Sequence, residues 1–338
     1  MPTEKLSRIK EVADYVGVSI STVSRVINNH PYVNKEVRER VLEAIKILGY
    51  NPNYAARSMR AKSTRLIGLL IRDISNPNFA KVVKAAESIA SQHEYGLLLC
   101  NSSLDSKKEK HYIDIFLRHR VDGLIVYVAD ESINNFKAVS EQIPIVLVDS
   151  ELPGVSASRV LTQFEQGMFE ATEHLIKLGH RNIGLLIGKQ DSYTQRQRMA
   201  GFRKALSQYG VNVGTQYIRF CDLETEHAVQ ETRFLFSLPK PPTAIIAASN
   251  QLTFGALAAF DAMNISIPQD VSFIGCDDTN TTMLYKPRLT VISRDVGKLG
   301  EEPARLLFES LKNKGKREEK EIFVPTRLIV RESTIPLS

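Results

Sequence analysis

The sequence predicts an all-α head within residues 1–49 and an α/β core of two doubly wound parallel-sheet subdomains within residues 65–338. The chain has 338 residues, which is too long for one ordinary hydrophobic core. Apolar residues recur at helical spacing near the start, whereas after Arg65 short apolar runs alternate with amphipathic helical stretches. Such alternation is typical of parallel sheets that helices cover on both faces.

The composition is that of a globular cytosolic protein. Hydrophobic residues make up 43% of the chain and charged residues 24%, close to the average for soluble domains. The first residues contain no apolar stretch suited to a signal peptide, and the longest apolar runs are too short to span a bilayer. We therefore expect a cytoplasmic protein that does not enter a membrane.

The cysteine pattern indicates neither a disulfide framework nor a metal site. Cys100, Cys221 and Cys276 are far apart and have no His or Cys neighbour at metal-ligand spacing. We expect reduced packing residues, with no metal and no cofactor.

The net charge of +6 comes entirely from the first fifth of the chain. Residues 1–65 hold 12 Lys or Arg against 6 Asp or Glu, and the remaining residues hold 32 against 32. A basic head on a neutral body is typical of a module that binds a polyanion, although a solvated basic surface has the same composition.

Two short helices joined by a tight turn are predicted in the head. Residues 9–16 carry an apolar stripe at the i, i+3, i+4, i+7 spacing, and Gly17 permits a turn. Ser19 is placed to cap a second helix over about residues 20–28. A third stripe over residues 37–48 follows the cap Asn34 and completes a three-helix core.

The second helix has the pattern of a DNA-recognition helix. Val23 and Val26 mark its apolar face, whereas Ser21 and Arg25 lie opposite. Two helices with such a turn form a helix-turn-helix, which reads DNA with its second helix. A small bundle without a DNA role would fit the pattern too. Against that alternative, the helix expected within residues 51–60 would have only seven or eight residues, fewer than the roughly 12–15 that are stable alone, so it would need a packing partner.

Five segments within residues 9–59 closely resemble the DNA-binding head and hinge of the lactose/galactose-repressor family of bacterial transcriptional regulators. They are Ile9–Ala13, Gly17–Ser19, Thr22–Asn28, Tyr50–Pro52 and Ala55–Met59. In that family, hinge helices from the two subunits of a dimer meet in the minor groove of the operator, and each wedges a leucine between base pairs. Met59 stands at the matching position, and its apolar side chain suits this role.

The resemblance implies a set of DNA contacts. Ile20, Ser21 and Arg25 match the positions that face base edges, and Arg25 can bind guanine through two hydrogen bonds. For Ile20, the sequence allows either contact with a thymine methyl group or packing in the core of the head. Thr22 and Asn34 are expected to contact the DNA backbone, as are the hinge residues Tyr54 and Arg57. The full predicted set is Ser19, Ile20, Ser21, Thr22, Ser24, Arg25, Asn34, Tyr54, Ala56, Arg57, Met59 and Arg60.

The core pattern consists of two series of strands and helices. The predicted strands are Leu66–Ile71, Gly96–Cys100, Gly123–Val128, Ile145–Asp149, Ile183–Ile187, Tyr217–Phe220, Thr243–Ala248 and Val271–Gly275. The predicted helices are Phe79–His93, Lys107–Arg120, Ser132–Glu141, Gln163–Lys177, Gln195–Tyr209, Glu226–Ser237 and Leu252–Met263. Open parallel sheets bind ligands beyond the carboxyl ends of their strands. Polar residues at those ends therefore predict an effector cleft.

The core also resembles the periplasmic-binding-protein-like core of the same family. The resemblance lies in Asp73–Phe79, Val121–Ile125, Gly179–Gly184, Arg198–Phe202, Gly275–Asp278 and Pro287–Thr290. It implies that Arg198 and Asp277 hydrogen-bond ligand hydroxyls. The predicted effector site comprises Asp73, Asn76, Phe79, Asp149, Ser192, Thr194, Arg198, Leu223, Ser249, Asn250, Asp277 and Arg294.

Three positions depart from the family pattern and bear on the ligand. Ser249 stands where sugar sensors often have Asn, Leu223 where an aromatic ring often stacks on the sugar, and Arg294 where glutamine is frequent. With Arg198, the charge of Arg294 would favour a sugar acid or sugar phosphate. Alternatively, Arg294 pairs with Asp295 or Asp149 as a structural element.

We expect a repressor of carbohydrate-utilisation genes that binds a palindromic operator as a homodimer and is released by a sugar or sugar-derived effector. The predicted boundaries are 1–49 for the DNA-binding domain, 50–64 for the hinge and 65–338 for the core. Its subdomains are about 65–160 with 292–322 and about 161–291 with 323–338. When bound to DNA, the protein would be associated with the nucleoid.

Three alternatives to a repressor controlled by a small molecule make different demands on the sequence. A protein corepressor docking on the core would replace the small molecule. A solute-binding protein would need a secretion signal and no DNA-binding head. An enzyme is not expected, because residues 65–338 contain no phosphate-binding Gly-rich loop, nucleophile elbow or metal cluster.

Overall fold

The computed structural model describes residues 9–27, 29–50, 63–189, 191–222, 224–313 and 318–337. The chain divides into two compact units, Met1–Thr64 and Arg65–Ser338.

The first unit is a three-helix domain with helices α1 (Ile9–Val16), α2 (Ile20–Ile27) and α3 (Lys35–Ile47). Gly17, with a φ of +73°, forms the turn between α1 and α2, which a residue without Cβ adopts at little cost. The Ser19 hydroxyl accepts a hydrogen bond from the Thr22 amide at 3.2 Å and so caps α2. The apolar stripes meet in a small core: Val12, Ala13, Val16, Val23, Val26, Val41 and Ala44. The predicted helix-turn-helix is confirmed.

The second unit alternates strands and helices. Its elements are β1 (Leu66–Ile71), α4 (Pro77–Gln92), β2 (Gly96–Asn101), α5 (Ser106–Arg118), β3 (Gly123–Val126), α6 (Lys137–Ser140), β4 (Ile145–Val148), β5 (Ser158–Thr162), α7 (Phe164–Lys177), β6 (Ile183–Gly188), α8 (Tyr193–Gln208), β7 (Ile218–Cys221), α9 (Thr225–Ser237), β8 (Ala244–Ala247), α10 (Asn250–Met263), β9 (Ser272–Cys276), α11 (Asn280–Leu284), β10 (Thr290–Arg294), α12 (Lys298–Lys312), β11 (Glu321–Val324) and β12 (Thr326–Ile329). A short 3₁₀ helix spans Thr215–Tyr217.

The strands form two six-stranded sheets, in the orders β11-β5-β4-β3-β1-β2 and β12-β10-β9-β8-β6-β7. Every pairing is parallel except that of β10 with β12. In each sheet the strand order reverses at one point, beside β1 in the first and beside β6 in the second. Reversal points open a crevice at the carboxyl ends of the strands. The predicted pair of doubly wound subdomains is confirmed.

The chain passes between the two sheets directly after Thr162, Arg294 and Val324. These crossings lie a few residues later in the sequence than the predicted subdomain boundaries. Arg294 is the last residue of β10 and lies at the point where the chain changes subdomain.

The helix predicted over Ser132–Glu141 is wrong for most of its length, because α6 covers only Lys137–Ser140. The Asp130 carboxylate accepts hydrogen bonds from the Ser132 amide at 2.8 Å and from its hydroxyl at 2.6 Å. The Asn134 side chain similarly accepts from the Lys137 amide at 3.1 Å. Short polar side chains that bond the nearby backbone compete with helix formation.

The C-terminal segment is held against the second sheet by His180, which is 2% exposed. Its ring lies 2.9 Å from the Thr243 hydroxyl and 3.1 Å from that of Ser272. The Nε2 atom donates to the Ile335 carbonyl oxygen at 3.1 Å, because a carbonyl can only accept. The bond assigns the proton to Nε2 in the neutral ring.

Acid is expected to destabilise the second unit through His180. Burial lowers its pKa, so the folded state favours the neutral ring, whereas the unfolded chain takes up a proton near pH 6.5. The resulting stabilisation is present above about pH 6.5 and is lost as the pH falls. His180→Gln should reduce the decrease in melting temperature between about pH 7.5 and 5. The exposed residue His119 gives the control, His119→Gln, which should retain the full decrease. Equal slopes in all three proteins would contradict the role of His180.

Candidate effector cleft and nucleic-acid interface

The outer face of α2 carries the side chains predicted to read base edges. Ile20 is 46% exposed, whereas Val23 and Val26 on the opposite face are buried. The Ser21 and Arg25 side chains are exposed beside it. The exposure of Ile20 favours contact with a partner over the alternative of packing in the core.

Of the residues predicted to contact the DNA backbone, Thr22 and Asn34 lie near helix N-termini, as does Ser19, another residue of the predicted DNA-binding set. The Ser19 hydroxyl lies 2.7 Å from that of Ser21 and 2.8 Å from that of Thr22, and the Asn34 side chain caps α3 by accepting from the Glu36 amide at 2.9 Å. Ser24 is partly exposed. Helix N-termini favour phosphate groups because their amides are free and their dipole end is positive. The predicted contacts of Tyr54, Ala56, Arg57, Met59 and Arg60 lie outside the described residues.

A cavity of about 520 Å³ lies at the carboxyl ends of the two sheets, with walls from both subdomains. Its size is in the range of small-molecule sites. Ten of the predicted effector residues line it: Asp73, Asn76, Phe79, Asp149, Thr194, Arg198, Ser249, Asn250, Asp277 and Arg294.

Two predicted effector residues are not among the described residues that line this cavity. Ser192 precedes α8 and lines an adjoining cavity of about 360 Å³ instead. Its hydroxyl lies 3.2 Å from that of Thr194, which lines the main cavity. Leu223 lies outside the described residues.

Arg294 joins carboxylates of the two subdomains at the floor of the cavity. Its Nη1 lies 2.8 Å from Asp149 Oδ2, at the end of β4, and its Nε lies 3.2 Å from Asp277 Oδ1, at the end of β9. Burial lowers the pKa of Arg294, but attraction to the two carboxylates outweighs this effect and the net pKa is raised. Arg294 therefore forms the structural pair with Asp149 that was one of the two predicted alternatives, and Asp295 is not its partner.

Further hydrogen bonds cross the cleft. Asn78, at the start of α4, donates to Asp277 Oδ2 at 2.6 Å. The side chains of Asn76 and Asn250 exchange two hydrogen bonds, of 3.2 and 2.8 Å, and Gln251 Nε2 donates to Asp73 Oδ2 at 2.9 Å. These bonds join the two subdomains across the cleft.

A second crossing contact involves Glu131, in the loop after β3. Its Oε2 accepts from the Tyr193 amide at 2.9 Å and from Arg196 at 3.1 Å, both at the start of α8. The side chain is 5% exposed, and burial raises its pKa. Glu131 thus caps a helix of the opposite subdomain beside the adjoining cavity.

Arg198 differs from Arg294 in having no anionic partner. Its guanidinium lies 4.1 Å from the centroid of the Phe164 ring, and the residue is 6% exposed. Within the described part of the chain, no hydrogen bond or ion pair joins this guanidinium to another residue. Burial lowers its pKa. The resemblance implies that Arg198 and Asp277 bind the ligand together. In the described structure Arg198 has unused donors, whereas the Asp277 carboxylate already accepts from Arg294 and Asn78.

Several cavity residues were not predicted. Phe164 begins α7 two residues after the end of β5, a strand that was not predicted. Arg72 and Tyr127 directly follow β1 and β3, so the rule of strand ends points to them. The Tyr127 hydroxyl donates to the Leu299 carbonyl at 2.8 Å, and its ring packs edge-on against Phe79. The side chains of Gln195 and Gln251 also line the cavity.

None of the helices among the described residues combines the length and apolarity needed to cross a bilayer. Across the same residues, no three His, Cys, Asp or Glu side chains are grouped so as to hold a metal ion. Cys221 and Cys276 are buried thiols, and burial raises the pKa of each to about 12.

A helix-turn-helix head and a two-sheet unit enclosing a polar cavity together define the class of ligand-responsive transcriptional regulators. Residues 8–53 match the model for bacterial regulatory proteins of the lacI family, and residues 172–334 match that for a periplasmic binding protein-like domain. The HTH-type transcriptional regulator DegA of Bacillus subtilis (strain 168) is 34% identical over 335 residues, covering 98% of each chain. The chain belongs to the lacI family of bacterial regulatory proteins, as the sequence predicts.

Solved structures support the same conclusion. A lac repressor dimer bound to operator and the anti-inducer ONPF matches with a TM-score of 0.84 and 28% identity, over 98% of this chain and 100% of that one. The transcriptional regulator CelR in complex with cellobiose matches with a TM-score of 0.70 and 27% identity, over 97% and 99%. Members of this family are transcriptional regulators rather than enzymes.

Proposed function

We propose that this chain represses carbohydrate-utilisation genes as a homodimer on a palindromic operator, and that a sugar or sugar-derived effector bound in the cleft releases it. The observation that carries the proposal is the cleft cavity whose wall contains Arg198, a largely buried residue whose guanidinium has no hydrogen-bond or ion-pair partner among the described residues. Buried polar groups normally find hydrogen-bond partners, so a partner supplied from outside is expected.

On the DNA side, α2 enters the major groove in the proposal. Arg25 recognises a guanine, Ile20 contacts a thymine methyl, and Ser21 makes a weaker base contact. Thr22, Asn34, Tyr54 and Arg57 fix the position on the backbone. The exposure of Ile20 and its neighbours supports this assignment.

On the effector side, the related CelR–cellobiose complex supports a sugar or sugar derivative as the ligand. Ligand binding changes the contacts that join the subdomains across the cleft, among them Asn76–Asn250 and Arg294–Asp149. The resulting rotation of the subdomains changes the separation of the two hinge segments in the dimer. A coupling of about 1–3 kcal/mol changes operator affinity roughly 5–150-fold, which is sufficient for regulation.

The test combines ligand binding with operator binding. The purified full chain is screened by thermal unfolding against neutral sugars, sugar acids and sugar phosphates, since a bound molecule raises the melting temperature by mass action. A ligand that stabilises the protein should also lower its affinity for operator fragments selected by the protein from random DNA. If no metabolite stabilises the protein and a cellular protein changes its operator affinity instead, regulation by a protein corepressor replaces the proposal.

A further inference from the structure

Glu131 joins the two subdomains at a point outside the main cavity, and its two carboxylate oxygens have different surroundings. We propose that Glu131 is a proton-sensitive clasp of the cleft: its neutral form favours the closed arrangement, in which it contacts the start of α8, and its ionised form favours opening. The pH of the surroundings then acts on the regulator in addition to the effector. The inference rests on the proposed function, because it adds a second control to the same cleft.

The first turn of α8 takes its cap from the opposite subdomain. Ser192 stands at the N-cap position, but its side chain makes no capping hydrogen bond. The Tyr193 amide donates instead to Glu131 Oε2 at 2.9 Å, and Arg196 Nη2 donates to the same oxygen at 3.1 Å. Because Arg198 of the same helix lines the main cavity, the clasp holds an element of the effector cleft.

The loop that carries Glu131 is fixed to its own subdomain by a buried carboxylate. Glu109 of α5 is fully buried, and its oxygens accept from the Ala129 amide at 2.7 Å and from Asn135 Nδ2 at 3.0 Å. The segment is thus held on both sides of Glu131. We therefore expect rotation of the subdomains to break the contact with α8 rather than to carry Glu131 along.

The second carboxylate oxygen of Glu131, Oε1, lacks such support. The atom is shielded from solvent, and among the described residues no hydrogen-bond donor reaches it. An ionised carboxylate without full hydrogen bonding is costly to bury, whereas a neutral acid costs less. We expect opening of the cleft to expose both oxygens to water, because α8 then leaves the carboxylate. Closure therefore penalises the ionised form more than the neutral one.

The charges around Glu131 act in opposite directions. The titratable groups there are Asp130 in the same loop, Glu109 on α5, Arg72 after β1, Glu151 after β4, Tyr193 and Arg196 on α8, and Lys189, Asp191, Asp222 and Glu224 around the adjoining cavity. Burial raises the pKa of Glu131, whereas the Tyr193 amide and the two arginines lower it, and the net pKa is raised because burial has the larger effect. In the open arrangement the solvated side chain has its ordinary pKa of about 4.5. The closed arrangement thus binds the proton more tightly, and a fall in pH from neutral toward about 5 favours closure.

Hydrogen exchange of backbone amides tests the clasp with Glu131→Gln, because the neutral amide imitates the protonated acid. Amides at the starts of α4 and α10 report opening, since Asn76 and Asn250 meet there across the cleft. Rates are measured on the full chain at about pH 7.5 and about pH 5 and divided by those of unstructured peptides, which removes the intrinsic effect of pH. At the higher pH, exchange in the unmodified protein should be roughly 3-fold faster or more than in the variant, and at the lower pH the two should converge. The same ratio at both pH values would overturn the inference.

Two further variants separate the clasp from a general effect of charge. Glu151 lies 3.7 Å from Arg196 but is 43% exposed, so Glu151→Gln is the matched control and should exchange like the unmodified protein at both pH values. Arg196→Gln removes a donor and a positive charge from Glu131, so closure should begin to increase at a higher pH than in the unmodified protein. Acid effects elsewhere in the chain, including that of His180, are common to all four proteins. An unchanged pH dependence in Arg196→Gln would overturn the assignment even if Glu131→Gln does not fold.

Operator binding then connects the clasp with regulation. The affinities of the unmodified protein and of Glu131→Gln for operator fragments selected from random DNA should differ at about pH 7.5 and converge at about pH 5. A constant ratio of operator affinities would overturn the control of the regulator by Glu131. Failure of the protein to select any operator would overturn the proposed function instead, and the exchange measurement, which uses no DNA, still decides the clasp.

Discussion

Replacing Arg294 with glutamine is expected to lower the free energy of unfolding by about 3–5 kcal/mol. Asp149 and Asp277 would then face each other as buried carboxylates without the guanidinium that separates their charges, since their side chains are 5% and 4% exposed. Losing one partner of a buried ion pair is costly because the desolvated charge remains. Thermal and urea unfolding of the ligand-free protein measure the effect.

Two matched variants show whether the cause is the uncompensated charge. Adding Asp149→Asn to Arg294→Gln should recover part of the lost stability, because it removes one of the two carboxylates. Arg288 pairs with Glu332 at 3.0 Å on the surface, where the side chains are 57% and 48% exposed. Arg288→Gln should therefore change stability by less than about 1 kcal/mol. A similar small change for Arg294→Gln would contradict its central role in the cleft.

Met59→Gly is expected to abolish specific operator binding while leaving effector binding unchanged. Glycine costs about 1 kcal/mol of helix propensity in each hinge, and loss of the apolar wedge removes about 1.5–3 kcal/mol of burial. Since a dimer has two hinges, operator affinity should fall roughly 1000-fold or more. Fluorescence anisotropy with a labelled operator fragment measures this change.

The control for the hinge is Met59→Leu, which keeps an apolar side chain of similar length and should bind the operator nearly as well as the unmodified protein. Effector binding, followed by the shift in melting temperature, should be equal in all three proteins because the cleft is built from other residues. Operator affinity that is unaffected by Met59→Gly would rule out the wedge.

Much of the fold could be predicted because the determining patterns are local. The apolar stripes of α1 and α2 and the buried run of β1 are encoded within a few consecutive residues. The strands β5, β10, β11 and β12 were not predicted. Each has four or five residues, and each includes at least one polar or charged residue. Their strand character depends on pairing with distant neighbours, as β5 does with β4 and β11.

For the residues of the effector cleft, too, positions set by local pattern were predictable and partners from distant segments were not. Ten of the twelve predicted effector positions line the cavity, because the carboxyl ends of parallel strands converge wherever such a sheet forms. The prediction from sequence identified Arg294 as unusual but left its partner open between Asp295 and Asp149. The separations explain why: Asp149 lies 145 positions from Arg294, and Asn78 lies 199 positions from Asp277.

The sequence by itself determined the helix-turn-helix, the two doubly wound subdomains and the residue types at the mouth of the cleft, because helical and strand periodicity and the ends of strands are local properties. Only the tertiary structure decided that Arg294 forms ion pairs with two carboxylates and that Arg198 forms none with the described residues. Hydrogen bonds have a reach of about 3 Å, so which donor meets which acceptor depends on how two distant segments pack. The positive charges at residues 198 and 294 are equally visible in the sequence, but packing alone leaves one of them available to a ligand.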